Sequence, residues 1–313
     1  MKLQQLRYIC AIVDHELNLS NASDTLHRSQ PGVSRYVKTL EDELGTRLFV
    51  RSGKRLVALT RAGEAVLAVG RRMLADAETV AQIGREFSAK DEGELTVATT
   101  HTHARYVLPA TIKNFIQRYP KVRLSLRQGN PTEIANWIAS GDVDLSIAAE
   151  PLVPVRNLIL LPCYQLMRIV LAKPDHEILK LEKVTLAHLA AHPMITYDSM
   201  FTGRAKIAQE FDRAGLSPRI VMSATDADVM KTYVKMGIGI AIVGNIVYDP
   251  LIDTDLRMRD VGHLFRPNTI YVGMNRDGYL RSYAYDFIEM FAPALKRKAV
   301  DAAFLAATSS DQP

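Results

Sequence analysis

Residues 99–109 read TTHTHARYVLP, with three threonines and two histidines in the first five positions. Three chemistries suit such a cluster. His101 and His103, two apart, would face one way on an extended segment and could begin a metal site. A histidine among hydroxyls could belong to a nucleophile–base pair. Hydroxyls and free backbone N–H groups where a helix begins suit a small oxyanion or a carboxylate. A metal site needs three or four ligands, and neither a cysteine nor a third histidine lies near the cluster in sequence. For catalysis, no Gly-x-Ser-x-Gly, His-Glu-x-x-His, phosphate-binding loop or dinucleotide fingerprint occurs anywhere. The glycines of MGIGIAIVG (Met236 to Gly244) have the wrong spacing for such a loop and read as a buried strand. The cluster is therefore expected to cradle an anion, with no metal, no cofactor and no catalytic residue.

The elements that must position this cradle follow an α/β rhythm. Leu95 to Ala98 predicts a strand running into it, and His103 to Tyr119 a helix leaving it. Strands are expected at Val122 to Gln128, Leu145 to Ala148, Ile169 to Ala172, Met194 to Tyr197, Ile220 to Ser223 and Ile238 to Val243, with helices between them. A strand at Ile270 to Met274 and a helix from about Arg281 return to the first set. Two α/β lobes with crossings near Leu161 and Arg266 would make a cleft like that of periplasmic binding proteins. Ligands in such sheets bind beyond the carboxyl ends of strands. Thr100, Thr102 and His103 occupy one such junction, and Ser199, Phe201, Thr202, Gly203 and Arg204, after Tyr197, a second. Ser223 to Asp228 forms a third, whose carboxylates would repel an anion. The tail from Ala306 to Pro313 is expected to fray.

Upstream, the chemistry is cationic. Between Arg28 and Arg61 eight basic residues face three acidic ones, +5 within a chain whose net charge is +5. A basic patch on a neutral body points to a polyanion. Leu3, Leu6, Ile9 or Cys10, and Val13 recur at helical spacing. Ser20 is expected to cap a short helix ending near Leu26, and Ser29 a second one with Pro31 in its first turn. Val33, Val37, Leu40 and Leu44 form its buried stripe, and Gly45 ends it. Gln30, Ser34, Arg35 and Lys38 lie on the opposite face. This is the layout of a helix-turn-helix, with Gln30 and Arg35 placed to read base edges and Ser29, Ser34 and Lys38 to hold phosphates. Arg51, Lys54 and Arg55, around Ser52-Gly53, predict a basic two-stranded wing.

Thr60 then caps a proline-free stretch to about Ser88, a helix of about 40 Å at ~1.5 Å per residue. Its stripe (Ala62, Val66, Val69, Met73, Ala77, Val80, Ile83, Phe87) is narrow, which favours packing on a second copy. Ala89-Lys90-Asp91-Glu92-Gly93 reads as a polar hinge.

The segment ASDTLHRSQPGVSRYVKTLEDELGTRLFVR, followed by LTRAG, resembles the DNA-binding domain of LysR-type transcription regulators over residues 1–60. The runs TTHTHARYVLP, YPKVRLSLRQGNPTEIA, LPCY, FTGR, DRAGLSPRIV and ATDADVMKTYVKMGIGI resemble the CysB branch, which regulates sulfur assimilation. The resemblance implies a winged helix-turn-helix over 1–60, a dimerisation helix over 61–90 and a two-lobed effector domain over 91–313. Lobe I would hold about 91–161 and 267–300, and lobe II about 162–266. It implies an effector site at Thr100, Thr102 and Thr202, with His103, Ala149, Gly203 and Arg204 beside them. Two positions depart from the branch, which typically has Gln at 103 and Thr at 149. His103 could add a titratable charge, and Ala149 removes a hydroxyl.

The implied partners are a pseudo-palindromic duplex operator, RNA polymerase, a second or further copies of the chain as a homodimer or homotetramer, and a small anionic effector. The effector could be an acetylserine, sulfate, thiosulfate or adenylyl sulfate. The start of the chain does not read as a secretory signal, no window spans a bilayer, and Cys10 and Cys163 read as buried free thiols, so a cytoplasmic place is expected. The competing reading of the same two lobes is a solute-binding protein of a sulfur-oxyanion transport system.

Overall fold

The structure, a computed structural model, describes residues 1–53, 55–88 and 91–309. Lys54, the Ala89-Lys90 part of the expected hinge, the Phe87 side chain and residues 310–313 lie outside what is described. The chain divides into two units, Met1–Ser88 and Ala89–Pro313.

The first unit runs α1 (Leu3–Asp14), α2 (Leu19–Thr25), α3 (Gln30–Leu44), β1 (Phe49–Ser52), β2 (Arg55–Leu59) and α4 (Arg61–Ser88). α2 is capped by Asn18, whose side chain accepts from the Ser20 and Asn21 N–H groups, and not by Ser20. Asn is as good an N-cap as Ser, and here it stands one residue ahead of the helix. Ser29 caps α3 through the Gly32 N–H, and Gly45 ends it at φ 65°, where glycine carries no steric cost. Val33, Val37 and Leu40 are fully buried against Leu6, Ile9 and Ile12 of α1.

Leu44 departs from the expected stripe and is 40% exposed. The far end of α3 is closed by Leu48 and Phe49, because the buried Glu41 carboxylate draws both their N–H groups onto the helix, at 2.8 and 3.3 Å. β1 and β2 pair antiparallel as the expected hairpin. Thr60 caps α4 by accepting from the Gly63 N–H at 2.9 Å. Val66, Leu67, Met73 and Leu74 then pack onto the core of this unit. Gly63 makes that approach possible, since a Cβ there would lie 2.0 Å from the Leu48 carbonyl oxygen. The first half of α4 is thus part of this core, while Val69 and Val80 remain exposed.

The second unit contains two five-stranded sheets. The first holds β3 (Gly93–Thr99), β4 (Val122–Gln128), β5 (Leu145–Ala149), β6 (Leu158–Leu166) and β12 (Asn268–Asn275), in the order β4-β3-β5-β12-β6. The second holds β7 (Arg168–Ala172), β8 (Met194–Tyr197), β9 (Ile220–Ala224), β10 (Ile240–Gly244) and β11 (Arg257–Asp260), in the order β11-β7-β10-β8-β9. Helices α5 (His101–Tyr106), α6 (Leu108–Arg118) and α7 (Pro131–Ser140) serve the first lobe. Helices α8 (Leu186–Ala190), α9 (Thr202–Arg213) and α10 (Ala227–Lys235) serve the second. α11 (Ser282–Phe291) and α12 (Arg297–Ser309) return to the first.

Three expectations are corrected. Leu161 lies in the middle of β6, which pairs with β12 along its length, so the first crossing falls at Met167. The helix expected from His103 to Tyr119 is two, broken at Val107. Pro109 cannot donate to the carbonyl four residues back, so it sits in the first turn of a new helix instead. Residues 306–309 are helical, not frayed: α12 is held by the fully buried Val300 and by the Tyr285 hydroxyl, which donates to Asp301 Oδ1 at 2.8 Å.

Candidate functional site

Where β3 ends, Thr99 fixes the strand terminus by donating its hydroxyl to the Ile147 carbonyl at 2.7 Å. The chain then turns into α5, whose first turn carries the cluster. Thr100, Thr102 and His103 line a pocket of about 500 Å³, open mouth included. From the second lobe, the β8–α9 junction adds Tyr197, Phe201, Thr202 and Gly203. Ala149 at the end of β5 also lines it, with Leu166, Ile270 and Pro131 making the rest of an apolar wall. The first two of the three junctions singled out from sequence meet here. Arg204 is not among the lining residues.

Histidine 103 is buried, and its Nδ1 lies 2.7 Å from Thr100 Oγ1. Among the described residues its Nε2 has no hydrogen-bond partner. Either tautomer leaves one donor for a ligand. If Nδ1 accepts from the Thr100 hydroxyl, Nε2–H is free; if Nδ1–H donates, the Thr100 hydroxyl is. Burial pushes the imidazole down to about 4, so the titratable charge that sequence allowed at this position is absent at neutral pH. The sign of its effect on stability follows. Between pH 4 and the ordinary value of 6.5 the unfolded chain holds this proton and the folded chain does not. Stability therefore rises with pH across that window, by up to roughly 3 kcal/mol from this group. Urea unfolding of the second unit, followed in the full chain from pH 4 to 8, should show this slope and lose that part of it in His103→Gln. Equal slopes would contradict a neutral buried His103.

The Thr202 hydroxyl is already engaged: it donates to the Glu150 carbonyl at 2.6 Å, joining the lobes at one rim of the pocket. What Thr202 offers a ligand is a hydroxyl lone pair and the N–H of the first residue of α9, a twelve-residue helix. Lys206 closes the same rim on the Glu150 carboxylate at 2.8 Å.

The two histidines do not face one way. On the opposite side of α5, His101 Nε2 lies 3.1 Å from Asp228 Oδ2, the Tyr106 hydroxyl donates to Asp228 Oδ1 at 2.6 Å, and Arg105 Nε lies 2.9 Å from Oδ2. Burial pushes the Asp228 carboxyl up, but the Tyr106 and His101 bonds and the Arg105 charge outweigh it and leave it below the ordinary carboxylate value. His101, Asp226 and Asp228 do bring three metal-type ligands together. Arg105 already supplies the positive charge there, and Asp226 accepts from the Val229 N–H as the cap of α10. The third junction thus braces α5 from across the cleft and does not line the pocket.

Two polar lining residues, Arg168 and Asn268, gave almost no site signal in the sequence. Arg168 opens β7 and is 4% exposed, with neither Nε nor Nη2 hydrogen-bonded among the described residues. Burial lowers its pKa, with the nearby Tyr197 opposing, yet a guanidinium stays protonated in proteins. Asn268 opens β12, and its Oδ1 is likewise buried without a hydrogen-bond partner among the described residues. The one signal for Arg168 was an arginine inside the apolar run LMRIVLA.

On the first unit, Gln30, Pro31, Arg35 and Lys38 are exposed along one face of α3, with Ser34 half-buried among them. Ser29 is exposed at the cap. Arg55 is exposed on the wing, whereas Arg51 is drawn to Glu41 at 3.7 Å.

Residues 3–64 match the family described as bacterial regulatory helix-turn-helix protein, lysR family, and residues 88–296 the LysR substrate binding domain. The chain is 46% identical over 295 residues to the HTH-type transcriptional regulator SsuR of Burkholderia cenocepacia, covering 94% of this chain and 96% of that one. It is 44% identical over 303 residues to the HTH-type transcriptional regulator CysB of the same species, covering 97% of each. Among solved structures, the cofactor-binding domain of the Cbl transcriptional regulator superposes with a TM-score of 0.64 at 39% identity, covering 67% of this chain and 92% of that one.

Proposed function

The chain belongs to the LysR family of transcription regulators, and from that premise we propose that it controls sulfur-source genes in response to a small anion bound between its lobes. Regulators of this family bind DNA and small effectors and form oligomers, and the chain is not an enzyme. The observation that carries the reading is the exposed polar face of α3, in the unit matched by the helix-turn-helix family, on the same chain as a hydroxyl-lined cleft. Gln30 and Arg35 read base edges, while Ser29, Ser34, Lys38 and Arg55 hold phosphates. The exposed Val69 and Val80 of α4 support pairing with a second copy as a dimer or tetramer on a pseudo-palindromic site. RNA polymerase is the expected further partner. Acetylserine, sulfate, thiosulfate and adenylyl sulfate are the effector candidates. Among the described residues no helix is long and apolar enough to cross a membrane, and a reducing cytosol fits two unpaired cysteines. A solute-binding protein would have no use for the first unit, and the relatives are regulators.

A pair of substitutions tests this reading. Arg35→Ala should weaken operator binding by about 1–3 kcal/mol and leave anion binding intact. Thr102→Ala should abolish the anion response and leave operator affinity unaltered. Unchanged operator affinity in Arg35→Ala, or a normal anion response in Thr102→Ala, would contradict it.

A further inference from the structure

Arg168 is a buried cation whose Nε and Nη2 have no hydrogen-bond partner among the described residues, at a wall shared with Tyr197 and Gly203. Leaving a guanidinium so placed is costly, because its lost hydration is not replaced. Among the residues that line the pocket it is the one formally charged side chain, and Tyr197 and His103 present neutral rings. The backbone keeps room for it. A Cβ on Gly203 would lie 2.6 Å from Arg168 Nη2, so a side chain at 203 would push the guanidinium away. The pocket lining also includes Ala149, Leu166 and Ile270, whose side chains carry no hydroxyl to solvate further anionic oxygen.

Resting on the reading of this cleft as the effector site, we infer that Arg168 is the effector's charge partner and that the pocket selects a singly charged oxyanion joined to a short organic body over a doubly charged inorganic one. One negative charge cancels the one fixed positive charge. A dianion would carry its second charge into a low-dielectric site with no partner. An organic group on the anion takes the place of its fourth oxygen and lies on the apolar wall, where a bare oxygen would lose its water. Methanesulfonate and sulfate isolate the difference, since they share a tetrahedral head and differ by a methyl for an oxygen and by one charge.

The test is titration calorimetry of the full chain with methanesulfonate, ethanesulfonate and sulfate at pH 8, alongside Arg168→Gln, Arg168→Lys and Thr102→Ala. The parent chain should bind both sulfonates at least about tenfold more tightly than sulfate. Arg168→Gln should lose sulfonate binding by about a hundredfold, the scale of a buried charge-assisted pair. The same variant should melt at the parental temperature or above without anion, because it removes an uncompensated buried charge. A purely structural arginine would instead lower that temperature. Arg168→Lys keeps the charge but not the forked donors, so it should keep the sulfonate-over-sulfate order at reduced affinity. Sulfate binding as tightly as the sulfonates, or Arg168→Gln binding like the parent, overturns the inference while the cleft reading survives, provided Thr102→Ala weakens binding. If no anion binds the parent chain, or Thr102→Ala binds every anion as the parent does, the cleft reading and the inference fall together.

Discussion

Exchange of Glu41 for alanine should destabilise the first unit by about 3–5 kcal/mol and abolish operator binding while the second unit melts as before. Glu41 is 2% exposed, and its Oε1 accepts from the Leu48 and Phe49 N–H groups. Its Oε2 pairs with Arg47 at 3.2 Å and with Arg51 at 3.7 Å. One carboxylate thus ties the end of α3 to the start of the wing. Without it, two backbone donors and the half-buried Arg51 lose their acceptor together, the situation in which removing one buried partner costs most. A loss of that size is a large part of the roughly 5–15 kcal/mol that holds an ordinary domain together. Glu41→Gln keeps an acceptor oxygen and should cost less than half as much. Thermal unfolding of the full chain, read with operator binding on the same sample, checks both. An unshifted first transition in Glu41→Ala would show that the carboxylate is not the tie.

Asp228→Ala should lower effector affinity about tenfold without touching any residue that lines the pocket. α5 has two working faces. One presents Thr102 and His103 to the pocket, and the other places His101, Arg105 and Tyr106 on Asp228 across the cleft. Because α5 is only six residues long and ends at Val107, it has little internal rigidity of its own. The carboxylate sets its position, and a ligand would have to re-order the helix once it is gone. Asp228 is about a third exposed, so solvent weakens each ion pair and the effect is set nearer tenfold than a thousandfold. Asp228→Asn, which keeps an acceptor for the Tyr106 hydroxyl, should fall between. Calorimetric titration with the anion that binds the parent chain measures the series, and parental affinity in Asp228→Ala would remove the brace from the account.

How far these sites were legible in sequence depended on whether the signal was local. Ser29, Pro31 and Gly45 mark the ends of α3 because capping chemistry is read within one turn. The threonines after β3 and after β8 marked the pocket because the ends of strands are where α/β folds bind. Arg168 gave almost no local signal, since a charged residue beside a strand ordinarily faces water, and its burial depends on sheets formed far away in sequence. β6 was missed for a related reason. LILLPCYQL neither alternates cleanly nor avoids proline, and what makes it a strand is pairing with β12 more than a hundred residues later. Asp228 was located correctly but its role was not. As a charge near an anion site it suggests repulsion, whereas the fold turns it toward three donors on α5.

The central claim is that one unit reads a duplex and the other, through an anion, governs how. The most direct measurement is equilibrium binding of the full chain to promoter duplexes from its own genome against random duplex of equal length, across salt, with and without a bound anion. The account predicts a preference of at least about a thousandfold for one promoter site at physiological salt, a steep salt dependence and a shift in affinity or footprint when the anion is present. Equal affinity for promoter and random duplex in every condition would contradict it.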